Sequence, residues 1–96
     1  MNNTFENRTD NDVTVIPKQI LRTGLSAKAV GLYTCIVYLL NRDERISTSK
    51  LAEMGNEGLA SIENGLKELE SAGYLIRTKK KDSKGRFCTV YQLKDN

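Results

Sequence analysis

Between Leu59 and Leu93 the chain changes its hydrophobic period once. Leu59, Ile62, Leu66 and Leu69 recur at steps of three, four and three, which places them on one stripe of a helix running from about Glu57 to Ala72. Gly73 can stop that helix, because glycine takes the left-handed backbone that helix ends favour. YLIRTKKK and RFCTVYQL follow, rich in β-branched and aromatic residues and joined by Asp82-Ser83-Lys84-Gly85. They predict a β-hairpin with Gly85 at positive φ. In its second strand Phe87, Thr89, Tyr91 and Leu93 share a face, and Tyr91 and Leu93 are expected to close over the core.

The segment before this joint is helical. Pro17 suits the first position of a short helix reaching about Arg22, which Thr23 and Gly24 end. Ser26 can cap a second helix in which Val30, Tyr33, Ile36, Val37 and Leu40 recur at helical spacing, with Leu32 and Leu39 widening the stripe. That helix is the expected centre of the core. Arg45 to Ser47 can supply a residue or two of strand before Ser47 or Thr48 caps a short helix, TSKLAEM, with Leu51, Ala52 and Met54 inward. The fold class is mainly α with a C-terminal β-hairpin, an α+β arrangement. Residues 1–12 are polar apart from Met1 and Phe5 and are expected to form a disordered arm, leaving 13–96 as a single domain.

At 96 residues the chain has little room for a catalytic domain with a deep cleft. It has no histidine, no glycine-rich phosphate loop and no nucleophile beside a recognisable base, so no enzyme is expected. Cys35 and Cys88 make neither a disulfide framework nor a zinc set, and no cofactor is expected. The longest apolar run, Val30 to Leu40, is too short to span a bilayer, and no signal core precedes it, which predicts a cytoplasmic protein without membrane contact.

Charge is distributed unevenly. Residues 1–73 carry eight Lys/Arg against ten Asp/Glu, a net of −2. Residues 74–96 carry Arg77, Lys79, Lys80, Lys81, Lys84, Arg86 and Lys94 against Asp82 and Asp95, a net of +5. The hairpin is therefore the part suited to phosphate or an acidic partner. On the preceding helix Ala60, Asn64, Lys67 and Ser71 lie opposite the apolar stripe, with Glu57, Ser61 and Glu68 beside them and Glu63 and Glu70 on a flank. Gly65 costs stability in a helix, so close packing against it is expected, with the preceding helix as the neighbour.

From about Val15 to Leu93 the chain resembles the winged helix-turn-helix domains of phage and plasmid replication proteins and related regulators of Gram-positive bacteria. The resemblance is carried by IPKQIL, LSAKAVGLYTCIVYL, ISTSKLAEMG, SIENGLKELESAGYLIR and KGRFCTVYQL. It implies double-stranded DNA as the partner, with the third helix in the major groove and the hairpin as a wing. Ser61, Asn64 and Lys67 would then face base edges. Lys79, Lys80, Lys81, Lys84 and Arg86 would meet phosphates, as would Thr48 and Ser49 at the start of the second helix. Glu57 and Glu63 would repel phosphate, shifting affinity toward the wing. Two readings follow: a DNA-binding regulator or replication accessory of a mobile element, and a module that turns the same scaffold to a protein partner. A homodimer through the arm or the central helix is compatible with either. The length favours a stand-alone regulator or an excised domain.

Overall fold

A computed structural model describes residues 14–94; the arm expected over 1–12 lies outside the described residues. Three helices, α1 (Ala27–Asn41), α2 (Thr48–Gly55) and α3 (Leu59–Ser71), precede an antiparallel hairpin of β1 (Leu75–Lys81) and β2 (Phe87–Leu93). The α+β class and the helix, helix, helix, hairpin order agree with the sequence, and the layout is consistent with a winged helix. Among the described residues no helix is long and apolar enough to cross a membrane.

Local chemistry sets most of the boundaries. The Ser26 hydroxyl accepts the Ala29 N–H at 3.1 Å and that of Ser47 accepts the Lys50 N–H at 3.1 Å, each satisfying an amide that the helix itself leaves unpaired. After α3 the Gly73 N–H returns to Glu70 O and the Tyr74 N–H to Leu69 O, while Gly73 adopts φ +85°. This paired closure satisfies two terminal carbonyls and aims the chain into β1. At the hairpin tip Gly85 has φ +80°, as its place in the sequence predicts.

The core gathers Ile20, Leu32, Tyr33, Ile36, Leu39, Leu51, Ile62, Leu66 and Leu69 beneath Tyr74, Leu75 and Tyr91. The Tyr33 and Tyr74 rings meet edge to face at 6.1 Å. Leu93 packs on this cluster, so Tyr91 and Leu93 do close it.

Several expectations are corrected. The first helical segment is a 3₁₀ turn, Lys18–Leu21, with Pro17 before it as its cap. Leu32 and Leu39 lie at the centre of the buried face of α1, whereas Leu40, at the helix end, is exposed. Met54 and Leu59 are also exposed, each in an end turn of a helix where the core no longer reaches. Residues 45–47 form no strand, although Ile46 is buried. Glu57 precedes the Gly58 cap and so lies outside the first turn of α3.

Gly65 is needed for close approach, but to α1 and not to α2. A Cβ placed there would overlap Leu32 Cδ1 and come within 3.3 Å of the Lys28 stem. Gly31, on the outer face of α1, would meet nothing. Gly65→Val is therefore expected to destabilise by about 1–3 kcal/mol through overpacking. Gly31→Ala should stabilise by up to about 1 kcal/mol through helix propensity. Equilibrium denaturant unfolding measures both, and equal effects at the two positions would contradict the packing assigned to Gly65.

Candidate nucleic-acid interface

The register of the hairpin separates the lysine run. Strand side chains alternate between faces, so Lys79 and Lys81 share a face with Leu75, Arg77, Thr89 and Tyr91. Lys80 lies on the other face with Ile76, Thr78, Cys88, Val90 and Gln92. The two faces of the hairpin therefore both carry positive charge. Lys79, Lys80, Lys81 and Lys84 are exposed and make no salt bridge among the described residues. The Lys81 ammonium instead stands 5.3 Å from the centre of the exposed Phe87 ring.

Asp82 orders the tip. Its Oδ1 accepts the Lys84 and Arg86 amides, each at 2.9 Å, and its Oδ2 lies 3.3 Å from Arg86 Nε. The Arg86 backbone N–H foremost holds the Asp82 carboxyl below its ordinary pKa. The Arg86 charge is thus partly answered within the turn, and Lys84 is the freer of the two.

Arg77 is the one basic side chain of β1 that makes salt bridges to α3. It donates to both oxygens of Glu63, at 3.0 and 2.6 Å, and from Nη2 to Glu70 Oε1 at 2.8 Å. Its side chain is only 15% exposed. The hydrogen bond from Arg77 is the main reason that the Glu63 carboxyl sits below its ordinary pKa, and the two glutamates hold Arg77 above its own. The Glu63 carboxylate is thus engaged by Arg77, on the flank of α3 that faces the hairpin.

On the outward side of α3, Ala60, Asn64, Lys67 and Ser71 are exposed, as their angular positions predict. Lys67 is close enough to Glu63 for its charge to act on that carboxyl, which puts it toward the hairpin side of this face. Ser61 is half-buried, on the flank that also carries Glu68. Glu68 itself accepts the Ser26 N–H and hydroxyl, both at 2.7 Å, closing the start of α1 from 42 residues away. At the start of α2 Thr48 is half-buried and Ser49 exposed, and Ser47 serves as the cap.

Sequence reasoning missed the roles of Arg77 and Glu68. The signal for Arg77 was its parity: it shares the inward face of β1 with Leu75, opposite a helix whose Glu63 and Glu70 are seven apart on one flank. Cys35 and Cys88 are free and half-buried, and burial pushes the Cys35 thiol up. The chain matches no protein-family model and no curated protein.

Arg77→Ala leaves two glutamates unpaired against the hairpin and should cost about 1–3 kcal/mol in chemical unfolding. Glu63 and Glu68 have folded pKa values below their unfolded ones. Their contribution is therefore present above the unfolded pKa and lost as pH falls through the folded value. The melting temperature should drop between about pH 5 and 3, less steeply in Arg77→Ala. A profile equally steep in both proteins would contradict the clamp.

Proposed function

We propose that the chain is a double-stranded DNA-binding protein of the winged-helix kind, acting in the cytoplasm of a bacterium as a regulator or replication accessory of a phage or plasmid. The observation that carries this reading is how charge is arranged around α3. The two acidic side chains on the hairpin-facing flank of α3 are engaged by Arg77, leaving Asn64 and Lys67 exposed beside a hairpin with four lysines that make no salt bridge among the described residues. Asn64 can pair bidentately with adenine, and Lys67 can reach guanine or phosphate. Ser61, half-buried, contributes less to base reading than these two.

The hairpin supplies most of the affinity in this reading. Lys79, Lys80, Lys81 and Lys84, with Arg86 partly held by Asp82, give a sequence-independent hold on phosphates, and the Thr48 and Ser49 amides offer one more contact. A groove beside β2 also suits this scaffold to a protein partner.

Binding to random duplex DNA is the first test. About five or six phosphate contacts predict a log–log salt slope of about −4.5 to −5.5, and no binding at low salt would refute the proposal. Lys79→Glu with Lys81→Glu should reduce the slope by about 2 and Lys80→Glu by about 1, measured by fluorescence anisotropy across a salt series. Asn64→Ala should alter the sequences selected from a random library while leaving binding to random duplex nearly unchanged.

A further inference from the structure

The hairpin leaves two strand edges, and they differ in chemistry. The Asp82 N–H bonds to Arg86 O and the Lys94 N–H to Tyr74 O, which fixes the hydrogen-bonding parity at both ends of the ladder. With the register Lys80 to Cys88, Thr78 to Val90 and Ile76 to Gln92, those pairs exchange the ladder bonds. The N–H and C=O groups of Phe87, Thr89 and Tyr91 consequently point away from β1. Among the described residues no backbone partner takes them.

Natural edges are usually guarded by charge. β1 carries Arg77 and three lysines, whereas Phe87 to Leu93 has no charged residue, no proline and no glycine. The unguarded edge also faces a slot. A groove of about 620 Å³ runs between Phe87, Cys88, Thr89 and Tyr91 on one side and Arg45, Ile46, Ser47 and Thr48 on the other, with Glu63 and Arg77 completing its lining.

We infer that the outer edge of β2 is a docking site for an extended, acidic segment of a partner protein, which adds as a third strand between Phe87–Tyr91 and the 45–48 stretch. A strand lies about 4.8 Å from its neighbour and satisfies the outward peptide groups, whereas a helix, with its backbone bonds already made, leaves them unpaired. The charge of the segment follows from the groove. Arg77 is shared between Glu63 and Glu70, while Arg45 and Lys81 make no salt bridge among the described residues and the Lys81 ammonium lies over Phe87, a lining residue. An alternating segment would set carboxylates on the face that carries Phe87 and Lys81 and apolar side chains on the face that carries Cys88 and Val90.

A second copy fits less well. Two β2 strands paired antiparallel about Val90 bring Arg86 of one copy beside Lys94 of the other, and neither strand offers a carboxylate. The docking site shares Lys81 and Thr48 with the proposed phosphate contacts, but it does not use the outward face of α3.

The test is selection of the full chain against a displayed library of random decapeptides, followed by synthesis of the enriched peptides and anisotropy titration. Enrichment of alternating apolar and acidic sequences is expected. Methylating the peptide's backbone amides at alternate positions should abolish binding in one parity and spare the other. Thr89→Pro removes an outward N–H without cutting the ladder and should weaken binding by about tenfold or more. Arg45→Gln, at a position outside the hairpin, should weaken acidic peptides by a similar factor and spare random duplex DNA, so the result stands even if Thr89→Pro fails to fold. Absence of enrichment, enriched peptides indifferent to both substitutions, or insensitivity to backbone methylation would overturn the inference. So would a dimer abolished by Thr89→Pro in sedimentation, or a chain lacking residues 1–12 that binds the peptides about tenfold more tightly, since the edge would then belong to a second copy or to this chain's own N-terminal segment.

Discussion

The guanidinium of Arg77 is the point on which the arrangement turns. A two-stranded hairpin has little stability of its own and must be held against another element. Leu75, Tyr91 and Leu93 supply apolar contact at its base, but such contact is non-directional and tolerates sliding. The fork from Arg77 to both oxygens of Glu63 and one of Glu70 is directional, and it sets the hairpin's position along α3. Because the side chain is mostly shielded from water, the pair is less screened by salt than the exposed lysines beyond it.

The same contact divides the charges of the hairpin by task. The basic residue nearest the core is consumed internally, shared between two acidic groups. The lysines farther along make no salt bridge among the described residues. An excess of positive charge in the last quarter of the sequence thus resolves into a structural cation and a set of exposed ones, and only the latter are available to an anionic partner. The proposed DNA surface draws on both faces of the hairpin, and the proposed strand-docking edge shares Lys81 with it and adds Arg45 from outside the hairpin.

What the sequence disclosed was local. Ser26, Ser47, Gly73 and Gly85 act on backbone groups a few residues away, so a short window contains the whole cause of each cap or turn. The stripe Ile62, Leu66 and Leu69 was legible for the same reason. Leu40, Met54 and Leu59 misled because periodicity gives a direction on a helix but not how far the opposing layer extends. The lysine run was legible as charge but not as geometry until the hairpin register assigned faces. Gly65 announced close packing without naming Leu32 as the neighbour, and the partners of Arg77 and Glu68 depend on how separate helices and strands are brought together. None of these is recorded in spacing along the chain.

The bond from Glu68 to Ser26 has a consequence for how the domain assembles. The start of α1 is closed by a carboxylate from α3, across a loop of 42 residues, in addition to the Ser26 hydroxyl. A helix of this length is marginal in isolation, and part of what completes its first turn arrives only when α3 docks. The two helices therefore gain order together: α3 needs the Leu32 surface to receive Gly65, and α1 needs α3 to finish its N-terminus. Such mutual dependence favours all-or-none assembly of the helical body, so a break in either helix propagates to the other even though the two are far apart in sequence.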